Sequence, residues 1–462
     1  MEGKYGVPVA PISTIEYKKV VDMNPIGKVL QFVYTPHPVV GVAQDTLYDY
    51  ISGDDPHSGK PVNIGIMDLL TKMVNPIKAG AKPNSSARQE DCNNLIGPDT
   101  EENLQALFYK KGWTEGLPII VPTEERVRKM LEGTNVNPDE LVAEVFLEDT
   151  NEVVKSTVAN IATIAVMAGA ETEYLPVILA IASMAEPSLR PSTTPFGSMV
   201  LVNGPIAEKI GINSGLAAFS AVNKANAVIG RAWTLISHCW GFSQYKKTLW
   251  SSLGNNFTYN NMCVAENEKR SCWQPFHVQN GYKKEDNAVS LFRGWTLINS
   301  SGAPSNRSVT EEMNILYEAI PSVYSNATII MDPLVAKELK DKQGFKTKEE
   351  FSIHLSNSIK IEAGKFWAAD TVQMLLGSEA ERGVEPYSTW SRLNNEELIN
   401  QYHDPKQIRI IVVGGETSPL FIATDYRHLG TASIDKWLPT QNETDCIEGL
   451  CGLPDKFNSY DD

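Results

Sequence analysis

Short continuous apolar runs in this chain give way to glycine-bearing polar turns and then to helical stretches. Met199-Val-Leu-Val202 leads into Asn203-Gly-Pro-Ile206, and the turn Gly211-Ile-Asn-Ser-Gly215 precedes an Ala-rich helical stretch. Ile408-Arg-Ile-Ile-Val-Val413 ends in Gly414-Gly-Glu-Thr-Ser418. Apolar runs of this length between turns fit strands buried on both faces. The pattern predicts an α/β fold, with ligands expected at strand ends where helix N-termini and bare amides point outward.

The other periodic stretches fill in an organisation. Val29 to Tyr34 reads as a strand that stops at Thr35-Pro-His-Pro38, and Ile64 to Met73 fits one helical face. Together they predict a small α/β unit over 1–75, followed by a Pro-, Gly-, Ser- and Asn-rich linker or arm over 76–104. The main α/β domain, 105–440, has a mixed sheet and Ala-rich packed helices. It opens with a turn at Gly112 and a short apolar strand ending at Thr123. Thr123 is then a helix N-cap, with Glu124 and Glu125 in the first turn and Gly133 as the stop. Residues 152–185 predict two apolar helices around the turn Ala168 to Tyr174. An acidic tail, 441–462, carries Cys446 and Cys451, which fit a frayed end better than a redox pair. No period of 20 to 50 residues recurs, which argues against a solenoid.

Composition narrows the function classes. With 462 residues, 42% hydrophobic and 21% charged, the chain has globular values. A formal charge of -15 opposes nucleic-acid binding, and the longest basic run is Arg126-Val-Arg-Lys129. The N-terminal sequence lacks the apolar core of a signal peptide, and six cysteines are too few for a disulfide scaffold, so a cytoplasmic location is expected. Thr157 to Pro187 is apolar, but Glu171, Glu173 and Pro176 interrupt it, so no membrane span is expected. Nucleotide-phosphate, serine-hydrolase and zinc motifs do not occur, which leaves the cofactor unassigned and no metal expected.

Candidate chemistry concentrates in 263–277, where Cys263, Glu266, Asn267, Cys272, Trp273, Phe276 and His277 lie close together without helical or strand periodicity. Solvated loops rarely hold so many residue types that usually end up inside. Glu266 and His277 are the acid/base candidates, because imidazole titrates near neutrality and burial can raise a carboxylate toward that range. Asn203, Asn213, Ser214 and Asn226 could line an amide pocket for a small anion; ordinary turn chemistry is the alternative. Arg231 could clamp a carboxylate or form a structural salt bridge. His238, after an apolar helical run, reads as core.

Several ordered motifs resemble one family. Gly112-Trp-Thr-Glu-Gly-Leu-Pro118, Glu173-Tyr-Leu-Pro176, Val202-Asn-Gly-Pro-Ile206, Ile212-Asn-Ser-Gly215, Ala225-Asn-Ala-Val-Ile-Gly-Arg231, Ala265-Glu-Asn-Glu268 and Trp273-x-Pro-x-His277 resemble the proteins that accompany, or are fused to, the UGSC-motif (seleno)protein family. The likeness runs from about 105 to 425. The N-terminal block, through Lys4 to Ile12, Pro36 to Gly41 and Gly53 to Pro56, looks like the back half of the UGSC domain, without the half that carries the reactive cysteine or selenocysteine. The resemblance implies a partner subunit supplying a Cys-Gly-Ser-Cys segment, within a homo- or hetero-oligomer. Where this chain has Cys272 and Gln274 the family pattern has Pro and Glu.

Three functions follow as expectations. The first is a subunit of a thiol- or selenol-linked reductase or lyase that cleaves a carbon–heteroatom bond in a small polar or carboxylate-bearing substrate. There Glu266, His277 and Cys272 act chemically, while Asn203, Asn213, Ser214, Asn226, Arg231, Asn267 and Trp273 hold the substrate. The second is a non-redox lyase, hydratase or hydrolase using Glu266 and His277. The third is a ligand-binding or scaffolding subunit.

Overall fold

The computed structural model describes residues 8–23, 30–39, 42–71, 96–147, 152–242, 249, 251, 253–300, 307–320 and 322–439. Cys446 and Cys451, and most of the linker and the acidic tail, lie outside the described residues. The fold is α/β, as the apolar runs predict. In the N-terminal unit, β1 (Ile12–Thr14) pairs in parallel with β2 (Val33–Thr35), and the helices Gln44–Ser52 and Val62–Thr71 follow. The linker boundary is corrected at its end. Thr100 caps a helix Glu101–Lys111 by accepting from Asn103 N, and Glu101 and Glu102 complement its dipole.

Two further expectations change in the main domain. The residues before Thr123 are irregular, not a strand, and Thr123 caps the helix Glu124–Leu131 as expected. The first part of 152–185 is not helical. β3 (Leu141–Leu147) and β4 (Glu152–Thr157) form an antiparallel hairpin, after which Thr157 and Asn160 make a capping box that starts the helix Val158–Ala168. The β-branched Val153, Val154 and Thr157 are the strand signal, hidden by the longer apolar helix behind it. The second helix, Leu175–Ser183, is as expected.

The core of the molecule is a pair of four-stranded sheets. The first is ordered β14-β7-β5-β6, from Arg427–Ser433, Ala288–Gly294, Gly197–Asn203 and Val264–Ala265. The second is ordered β12-β9-β13-β8, from Ile408–Val412, Ala327–Met331, Phe421–Thr424 and Leu297–Asn299, while β10 (Ile361–Glu362) and β11 (Leu398–Ile399) form an antiparallel pair of their own. Each sheet has one parallel pair, β5 with β6 and β9 with β12, and its first strand is flanked on the other side by an antiparallel one, β7 or β13. Each then sends its next strand across to the other sheet. β8 follows β7 but pairs with β13, and β14 follows β13 but pairs with β7. The chain thus repeats one strand pattern twice and exchanges edge strands between the copies.

Alternating side chains decide the layers, because successive residues of a strand face opposite ways. Met199, Leu201, Val264 and Phe292 of the first sheet pack with Ile330, Ile411 and Val413 of the second. Val200, Val202, Val289 and Leu291 face the helices Val158–Ala168, Leu175–Ser183 and Lys224–Trp240. Ile329, Met331, Ile410 and Val412 face Val309–Glu318, Pro333–Asp341 and Lys348–Ser358. The result is helices, sheet, sheet, helices. Both faces of β5 and β9 are covered, which is why every residue of each is buried.

The strand exchange is tight. Trp295 N and Thr296 N, between β7 and β8, donate to Asp425 Oδ1, between β13 and β14, at 3.0 and 2.8 Å. A Cβ at Gly294 would collide with Asp425 and Tyr426, so only glycine lets the two crossings touch. Among the described residues, no helix is long and apolar enough to cross a membrane.

Candidate functional site

The carboxyl ends of both parallel pairs meet at one end of this double sheet. Glu266 N extends the first pair by donating to Val202 O at 3.1 Å, and Asn267 N crosses to Val412 O at 2.8 Å. Asn267 Nδ2 then donates to Gly414 O at 2.9 Å. Asn267 therefore joins the two sheets and is not offered to a ligand.

Around this junction the structure gathers Asn203, Glu266, Glu268, His277 and Lys348. Glu266 is buried, with its Oε1 2.6 Å from Lys348 Nζ. Its Oε2 accepts from Asn203 Nδ2 at 2.7 Å and from Phe276 N at 2.6 Å. Asn203 Nδ2 is shared with Glu268 Oε1 at 2.9 Å, and Gly204 N donates to the same oxygen at 2.8 Å. His277 follows Phe276 in the helical turn Phe276–Gln279, which sets its ring beside Glu268, with Nδ1 to Oε1 3.8 Å. The network reaches solvent at Glu268, whose side chain is 19% exposed; that of His277 is 0%.

Three buried atoms here have no partner among the described residues: Asn203 Oδ1, His277 Nδ1 and His277 Nε2. Orphaned buried polar atoms are rare in folded proteins because each forfeits its hydration without return. They are the donors and acceptors a small ligand could meet. The one ammonium pairs with Glu266 and leaves Glu268 beside the ring, so the arrangement suits proton exchange at His277 and Glu268, with Glu266 and Lys348 holding the frame.

Sequence reasoning missed Lys348, since no local signal sets it apart. It is the first residue of the helix Lys348–Ser358, where Thr347 provides the N-cap, and it reaches the site from the opposite half. Glu268 had a signal in the motif Ala265-Glu-Asn-Glu268 but was passed over for its neighbour.

Other expected site residues fall elsewhere. Asn213 and Asn226 engage each other and nearby backbone: Asn213 N donates to Asn226 Oδ1 at 2.9 Å, and Asn226 Nδ2 to Asn213 O at 3.0 Å. Asn213 Nδ2 goes to Leu216 O and Asn223 Oδ1. These amides hold a turn beside the site, as the turn alternative has it, and Ser214 O receives Gly414 N at 2.9 Å. Arg231 forms the structural alternative too, with Nε 2.6 Å from Glu115 Oε1 and Nη2 on Pro118 O at 2.8 Å. Trp273 is core, stacked on Phe351 and donating to Phe345 O at 3.0 Å. Cys272 is half-buried and packs against the same core; burial pushes its thiol up. Burial pushes the Cys263 thiol up further. His238 is half-buried, and desolvation lowers its pKa.

Among the described residues, no cluster of His, Cys, Asp or Glu could hold a metal. Comparison with protein-family models and with curated proteins finds no match for this chain.

Proposed function

We propose that this chain is an acid/base enzyme acting on a small polar, carboxylate-bearing substrate, with His277 and Glu268 moving the proton. The observation that supports this best is the buried His277 ring, with both nitrogens unpartnered and Nδ1 turned toward Glu268 at 3.8 Å. Each orphaned nitrogen costs about 1–3 kcal/mol in a folded protein. A substrate reaching the ring past Glu268 would supply the missing partners. Catalytic hydrogen bonds are often long before substrate binds and tighten in the complex. Glu266 and Lys348 act as positioning groups, because their carboxylate and ammonium are already engaged.

Thiol- or selenol-linked cleavage of a carbon–heteroatom bond is the second reading, drawn from the resemblance to the UGSC family. Protonated, buried Cys263 and half-buried Cys272 are poor nucleophiles. This reading therefore takes its sulfur or selenium from a partner subunit.

The test is proton exchange. Purified protein in D2O with a panel of small hydroxy and oxo acids, followed by NMR, should exchange or eliminate at least one. His277→Gln and Glu268→Gln should each slow that reaction by about 10²–10⁴-fold, while alkylation of all thiols leaves it intact. Loss on alkylation would favour the thiol reading. No turnover of the panel, or an unchanged rate in His277→Gln, would remove the proposal.

A further inference from the structure

The opposite end of the double sheet, where β8 and β14 change sheets, holds a pocket of about 200 Å³. Arg190, Arg293 and Arg427 line it, together with Phe196, Trp295 and Asp425. Along β5 this is the Gly197 end, six residues from Asn203, or about 20 Å at the rise of a strand.

Charge makes this pocket unusual. The chain carries a formal charge of -15, yet three guanidinium groups converge here. Among the described residues, the side chains of Arg190 and Arg427 have no hydrogen-bond or ion-pair partner. Arg293 is buried; its Nη2 meets Glu186 Oε2 at 3.3 Å and Pro187 O, and its Nε has no partner. Burial lowers the Arg293 pKa to about 10, and the charges of Arg190 and Arg427 push the same way, partly offset by Glu186. These cations repel one another, and a folded chain gains by admitting an anion between them.

The pocket also has an apolar wall. Phe196 and Trp295 meet edge to face at 5.7 Å, and Val323 and Leu375 continue the surface. An inorganic anion would leave that wall unused. Among the described residues, Asp425 is the one carboxylate lining the pocket, and its Oδ1 is held by Trp295 N and Thr296 N. Burial raises its pKa to about 6, so an anion beside it draws a proton onto it and turns it into a donor.

We propose that this pocket binds a small organic carboxylate, its charge held by Arg427 and Arg190 and its apolar body against Phe196 and Trp295. The site is separate from the His277 end and does not depend on the reaction proposed there.

Benzoate, its neutral isostere benzamide and inorganic phosphate test this directly by calorimetry and thermal shift on the full chain. Benzoate should bind saturably and raise the melting temperature, with benzamide and phosphate each at least about tenfold weaker. Arg427→Ala and Arg190→Ala should each weaken benzoate by about tenfold or more, while Arg427→Lys keeps part of the affinity. Both arginines are exposed, so these variants should fold, and circular dichroism checks that they do. His277→Gln should bind benzoate as the parent does. The proposal is overturned if benzoate fails to bind, if both alanine variants bind it unchanged, or if benzamide or phosphate binds as tightly.

Discussion

At the carboxyl ends of the parallel strands, Glu266, Lys348, Asn203 and Glu268 satisfy one another almost completely. At the strand-exchange end, the side chains of Arg190 and Arg427 have no partner among the described residues, and like charges gather around an open pocket. Both ends arise from the same twice-repeated strand pattern, so topology does not explain the difference. Charge pairing does. Opposite charges close one end and leave only the His277 ring and Asn203 Oδ1 orphaned, whereas like charges keep the other end open to a counter-ion.

Breaking the closed end should have the largest effect. Lys348→Met leaves the Glu266 carboxylate buried without its cation, and chemical denaturation should show a loss of about 3–5 kcal/mol. Adding Glu266→Gln should restore much of it. A smaller change tests the open end. Asp425 has a folded pKa of about 6, above its ordinary value of 3.8. Its burial therefore costs nothing well below pH 4, where both states are protonated, and costs most above pH 6, where both are ionised. Asp425→Asn should stabilise the fold by at most about 3 kcal/mol above pH 6, with the gain fading to nearly nothing by about pH 3 in thermal melts.

Arg231→Ala removes the link to Glu115 and Pro118 and should cost about 2 kcal/mol, a structural loss without effect on ligand binding at either end. If His277 is orphaned for function, His277→Leu should abolish turnover while gaining about 1 kcal/mol in stability. A loss of stability would instead mark the imidazole as a structural residue. Arg427→Ala should change stability by less than about 0.5 kcal/mol, since nothing in the fold holds that side chain.

Local signals told much of this. The runs Met199 to Val202 and Ile408 to Val413, the caps at Thr123 and the apolar helices around Ala168 all read directly, because each depends on neighbours in sequence. Glu152 to Thr157 was misread where a six-residue strand abuts a stronger helical pattern. In the 263–277 segment, Glu266 and His277 belong to one network, but the carboxylate beside the His277 ring is Glu268, and Cys272 and Trp273 turn to the second core, since a loop without periodicity carries no record of which way its side chains point. The Asn213 and Asn226 amides face their own turn, and short-range hydrogen bonds of that kind are what Asn and Gly favour anyway.

The sequence by itself determined the α/β class and the strands buried on both faces. It also placed Asn203 at the end of a strand and gathered acid and imidazole in one aperiodic segment. Only the tertiary structure decided that Lys348 would neutralise Glu266, that edge strands would be exchanged between two sheets, and that Arg190, Arg293 and Arg427 would share a pocket. The physical reason is range. Periodicity and caps act over a few residues, whereas these charges lie 82 residues apart for Glu266 and Lys348 and come together only when distant strands pair.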